Sequence, residues 1–149
     1  MSKGVWGLIA GVLIATAVAI AGCGGGGSDE TLTKAEFTKQ ANAICKKSAD
    51  RRNKVISDFV QQADPKDDPE KQQEELVQAA LPTYETAAQQ IDELAAPEGD
   101  DKKVQEIVEA MEGAVKRAEA DPQTALVTNA AFKKPDQLAE SYGLDDCVA

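Results

Sequence analysis

The chain has 149 residues, with 16 basic against 26 acidic side chains, no histidine and a formal net charge of −10. Such an acidic surface repels nucleic-acid phosphates and anionic lipid headgroups, which argues against any nucleic-acid partner. The missing histidine removes Ser-His-Asp and Cys-His nucleophiles, zincin helices and di-iron sites built on Glu-x-x-His pairs.

The first element is apolar. Lys3 precedes Val5 to Ile20, sixteen residues without a charge, which is shorter than the roughly 20 that span a bilayer as a helix. An export signal fits that length better than a permanent anchor. The run ends in Ile20-Ala21-Gly22-Cys23, an aliphatic residue, two small ones and a cysteine, which resembles the lipobox of bacterial lipoprotein signal peptides. The resemblance implies that Ile20, Ala21 and Gly22 are the signal-peptidase recognition residues and that Cys23 receives a diacylglyceryl thioether. It also implies a chain lipid-anchored to the outer face of the cytoplasmic membrane, two acyl chains being enough for durable attachment. An uncleaved signal anchor with an incidental cysteine is the alternative; Gly24 to Gly27 and Ser28, a flexible tether by composition, favour cleavage. The chain thus divides into a lipoprotein signal peptide (1–22), a lipidated cysteine with a Gly-rich tether (23–30) and one domain (31–149). Residues 1–22 hold one basic and no acidic group, so the remainder carries 15 basic and 26 acidic groups, a net charge near −11.

The domain reads as helix throughout. Thr33 and Glu36 form a capping-box pattern, with Leu32 and Phe37 at the staple positions, so a helix is predicted from Lys34. Its apolar face runs Phe37, Ala41, Ile44, Cys45, Val55, Ile56, Phe59 and Val60, interrupted by Ser48 and Arg52. The segment 64–70, DPKDDPE, breaks it, and a second helix follows with Asp68 as cap and Pro69 in its first turn. Val77, Ala80, Tyr84, Ala87, Ile91 and Leu94 alternate spacings of three and four along that helix, a seam widened by Leu76, Leu81 and Ala88. Pro82 lies inside the seam, where a kink or break is expected.

Ala95-Ala96-Pro97-Glu98-Gly99 ends the second helix, and a third starting at Asp100 or Asp101 puts Val104, Val108, Met111, Val115 and Ala118 on one face, with Ile107 beside them. Asp121-Pro122 opens a short helix, and Pro135-Asp136 opens another through Leu138 and Tyr142. Gly143 then suits a left-handed C′ residue, with Leu144 folding back toward Leu138 as in a Schellman motif. No strand-and-hairpin pattern occurs. The expected fold is all-α: a small antiparallel bundle of three long helices plus one or two short C-terminal ones.

With Cys23 committed to lipid, Cys45 and Cys147 remain as a pair, and an exported chain can oxidise them. One intramolecular disulfide is the simplest outcome; two buried thiols or an intermolecular bridge are the alternatives. Neither cysteine has a second cysteine or a histidine at zinc-ligand spacing, so no metal is expected there.

Candidate sites are sparse. Glu74 with Glu75 and Asp100 with Asp101 are carboxylate pairs of the kind glycosidases use, but without tryptophan after residue 6 they read as solvated faces and caps. Asp64, Asp67, Asp68 and Glu70, and Asp145 with Asp146, offer calcium oxygens without EF-hand spacing or its mid-loop glycine. Tyr84 and Tyr142 are potential haem ligands that read more simply as core residues with hydroxyls at the rim. Lys46, Lys47, Arg51 and Arg52 are the one basic concentration, a docking patch for an acidic protein or wall polymer or else a solvated face. No catalytic residue, metal or cofactor is assigned.

Phe37 to Cys45 (FTKQANAIC), the second helix ending in Ala96-Pro97, and Tyr142-Gly143-Leu144-Asp145-Asp146-Cys147 resemble small secreted lipoproteins of actinobacteria. That resemblance implies topology, disulfide and compartment, and no chemistry. The functional expectation is a non-enzymatic membrane-anchored lipoprotein that serves as a binding or assembly partner in the cell envelope. The alternative is a carrier of a small hydrophobic ligand or lipid, held between the second and third helices.

Overall fold

A computed structural model describes residues 31–148. The elements are α1 (Lys34–Gln62), α2 (Pro69–Asp92), α3 (Asp101–Ala120), α4 (Pro122–Thr128) and α5 (Lys133–Tyr142), then a terminal 3₁₀ turn (Asp145–Cys147), with no strand among the described residues. The predicted signal peptide, its recognition residues Ile20, Ala21 and Gly22, Cys23 and the tether lie outside the described residues, as does Ala149.

Local chemistry explains the helix starts. The Thr33 hydroxyl accepts from the Glu36 N–H at 3.3 Å, while the Glu36 carboxylate accepts from the Thr33 N–H at 3.0 Å, a complete capping box. Asp68 caps α2 by accepting from the Glu70 N–H at 2.9 Å, with Pro69 as the first helical residue. Asp121 accepts from the Thr124 N–H at 3.0 Å and starts α4, which Asn129 ends in the left-handed region at φ 51°.

Three boundaries differ from expectation. The second helix neither breaks at Pro82 nor reaches Leu94. It runs unbroken past Pro82, where hydroxyls of Thr83, Thr86 and Ser48 donate to the carbonyls of Ala80, Pro82 and Thr83. It ends at Asp92, five residues before Pro97, yet Leu94 and Ala96 still pack on the core. The fifth helix begins at Lys133, two residues before the predicted Pro135, because a proline in the first turn lacks only an N–H that has no intrahelical partner there.

Helix α2 is central, with α1 on one side and α3 on the other; α5 packs on α3, and the 3₁₀ turn joins α5 back to α1. At this end the bundle is a closed ring around a core of Phe37, Ala41 and Cys45 (α1), Ala87, Ala88 and Ile91 (α2), Val104, Ile107, Val108 and Met111 (α3), Ala139 and Tyr142 (α5), and Leu144. Gly143 takes φ 95°, and the Leu144 N–H reaches the Ala139 carbonyl at 2.8 Å while the Gly143 N–H reaches that of Glu140, the Schellman pairing. Leu144 is thereby fully buried.

The other end is built differently. Its core consists of Val77 and Leu81 from α2, Ala114, Val115 and Ala118 from α3, and Ala131 and Phe132, with no residue of α1. There α4 packs on α2 and α3 and does not meet α1. The ring is open between α1 and α4, and the predicted apolar face of α1 loses burial along this stretch: Val55, Ile56 and Phe59 are half-buried and Val60 is 64% exposed.

Candidate functional site

Two features stand out, one at each end of the bundle. At the closed end, Cys45 and Cys147 form a disulfide across 102 positions of chain, with Cα atoms 4.9 Å apart. Asn42, one turn before Cys45, holds the same connection through its amide: its Nδ2 donates to the Gly143 carbonyl at 3.2 Å, and its Oδ1 accepts from the Asp146 N–H at 3.1 Å. Asn42 stands inside the FTKQANAIC stretch, but nothing in its spacing marks a partner about a hundred residues away.

Beside this clamp, Tyr142 is buried with its ring edge against Phe37, centroids 5.9 Å apart, and Lys34 Nζ 4.4 Å above its ring. Its hydroxyl donates to Asp100 Oδ2 at 3.0 Å. Burial, reinforced by that bond and by the Asp100 charge, pushes the Tyr142 hydroxyl up to about 12. Hydrogen bonds from Lys103 and then Tyr142 hold Asp100 below the usual carboxylate range. Asp101, its neighbour in sequence, is exposed in the first turn of α3.

At the open end lies a groove of about 300 Å³. Arg52 and Ile56 of α1 form one wall, Leu76, Val77, Ala80, Leu81 and Tyr84 of α2 the floor, and Ala125 and Asn129 the other wall, with Phe132 and Ala118 behind. The apolar groove thus lies between α1, α2 and α4, with α3 contributing only Ala118; the recess that α2 and α3 line by themselves, at Glu85, Glu112, Val115, Lys116 and Glu119, is mostly charged. Tyr84 and Phe132 lie with centroids 4.6 Å apart, and Arg52 stacks its guanidinium 4.3 Å from the Tyr84 ring centroid. Burial raises the Tyr84 hydroxyl, partly offset by the Arg52 charge and reinforced more weakly by Asp136.

The basic concentration is therefore divided. Lys46, Lys47 and Arg51 face solvent, while Arg52 turns inward. Its inward placement had a sequence signal, because Phe37, Ala41, Cys45, Ser48 and Arg52 follow one another at steps of three and four. Ser48 and Arg52 lie on the buried stripe as polar members of it; Ser48 Oγ donates to the Thr83 carbonyl at 2.6 Å.

The carboxylate candidates do local work. Asp64 and Asp68 cap backbone N–H groups of Lys66 and Glu70. Glu74 accepts from Gln78, and Glu75 pairs with Lys71 at 3.6 Å. Asp67, Glu70, Asp145 and Asp146 are exposed. No three His, Cys, Asp or Glu side chains among the described residues converge as a metal site. No described helix is long and apolar enough to cross a membrane. The chain matches no protein-family model, and no curated protein or solved structure is significantly similar to it.

Proposed function

We propose that the protein is an extracytoplasmic lipoprotein, held by lipid on Cys23 to the outer face of the cytoplasmic membrane, whose helical domain acts as a non-enzymatic binding or assembly partner in the cell envelope. The observation that carries the reading is the Cys45–Cys147 disulfide: a structural bridge between a helix and the far terminus belongs to an oxidising compartment, which is where the lipobox-like Ile20-Ala21-Gly22-Cys23 would send the chain. An envelope protein or wall polymer is the partner class in view. The small secreted lipoproteins of actinobacteria that the sequence resembles share this layout.

Cys23→Ala tests the address. The expected outcome in a bacterial host is loss of palmitate labelling and accumulation of unprocessed precursor; labelling and processing unchanged by the substitution would overturn it. The groove supports a second reading, a carrier of a small hydrophobic ligand, because a mostly apolar recess of this volume lies at the small end of the range for ligand sites.

A further inference from the structure

The groove has one charged lining residue. Its walls are aliphatic and aromatic, Asn129 adds a neutral amide, and the charge belongs to Arg52. Arg52 marks the groove's inner end, since it also lines the small adjoining recess formed with Cys45, Ser48 and Cys147. The Arg52 guanidinium lies against the Tyr84 ring face.

Two carboxylates bear on this region. Asp146 shares the adjoining recess and is exposed, and Asp136 of α5 acts on Tyr84 less strongly than Arg52 does. A preset guanidinium against apolar walls suits an anion that terminates a hydrocarbon chain, because its planar N–H fork matches carboxylate or phosphate oxygens. A space of about 300 Å³ holds a single chain far more readily than a partner helix, which is roughly 10 Å across with its side chains.

We propose that the groove binds a single-chain anionic amphiphile, its carboxylate or phosphate paired with Arg52 and its tail laid between α1 and α4 over Leu76, Ala80 and Leu81. The assignment rests on the carrier reading and adds a charge requirement to it.

Equilibrium dialysis of the oxidised domain from Ser28 onward, which contains both core clusters and the disulfide, tests it against three probes with the same tail length: palmitic acid, palmitoyl lysophosphatidic acid and hexadecanol. One anionic probe is expected to saturate at one per chain and to bind about tenfold more tightly than hexadecanol, the effect of one charge-assisted contact. Whichever anion binds more tightly identifies the head as carboxylate or phosphate. Arg52→Leu is expected to erase the preference while hexadecanol binding stays unchanged, and Arg52→Lys to retain part of it. Ala80→Phe fills the groove from its half-exposed floor and is expected to exclude all three probes with a cooperative thermal melt; Ala125→Phe on the facing wall replaces it if that melt is lost. Equal binding of hexadecanol and the anions, or a preference that survives Arg52→Leu, overturns the anionic assignment and leaves the carrier reading standing. Saturable binding of none of the probes overturns both.

Discussion

Tyr142 concentrates several interactions in one side chain: an edge contact to Phe37, a cation over its ring and a hydroxyl on Asp100. Tyr142→Phe keeps the ring contacts and removes the hydroxyl, so the expected loss is about 1 kcal/mol, the net worth of one hydrogen bond, read from urea melts. The Asp100 carboxyl should move back toward its ordinary value, with Lys103 and the Lys34 charge remaining to hold it down. The raised Tyr142 pKa also fixes a pH dependence. The folded state favours the neutral phenol, so its stabilisation is complete below pH 10 and is lost as pH climbs from 10 toward about 12. Tyr84, raised mainly by burial, acts in the same direction. Tyrosinate absorbance is therefore expected to appear together with alkaline unfolding, and a phenol that titrates freely near pH 10 in a chain still folded would contradict this. A different residue, Arg52, marks the limit of reading polarity from sequence: a cation on an apolar stripe looks like an interruption until the ring beneath it is known.

At the scale of elements, the terminal turn matters more than its three residues suggest. It connects α5 to α1 and carries the second cysteine of the bridge. Replacing Cys45 and Cys147 together by Ala removes a loop constraint across 102 positions, for which the chain-entropy model gives about 4.7 kcal/mol, less any relief of native strain. The stability lost in that variant and the stability that reductant removes from the wild type are expected to agree in denaturant melts; a reduced wild type as stable as the oxidised one would overturn the estimate. The starts of α1, α2 and α4, the Gly143 cap and the cysteine pair were legible because each depends on neighbours in sequence or on parity. Passage of α2 through Pro82 was not, since helix propensity there is overridden by packing between α1 and α3 and by hydroxyls that occupy nearby carbonyls. Nor was the exposure of Val60, because periodicity identifies an apolar face without saying how far along it a partner extends.

The molecule as a whole combines a closed, cross-linked end with an open one, and its stability should be graded accordingly. Amide exchange is expected to be slowest around Cys45, Ile107 and Leu144, and fastest in α4, whose Val127 is 78% exposed, and in the last two turns of α1. Uniform protection across both ends would contradict that gradient. All-α architecture and the pairing of Cys45 with Cys147 were readable from the chain, whereas the opening between α1 and α4 depends on which helices meet, a property of no single segment. The orientation of that opening has a consequence for supply. Arg52 lies eighteen residues beyond Lys34 along α1, a rise of about 27 Å at 1.5 Å per residue, and the first described residues, Thr31 to Thr33, precede α1 at its opposite end. A domain standing upright on a lipid at Cys23 would hold its groove well above the headgroups. It would then draw cargo from the aqueous side and could not skim it laterally from the bilayer, so any membrane-derived molecule would have to be released into solution, or handed over by another protein, before reaching Arg52.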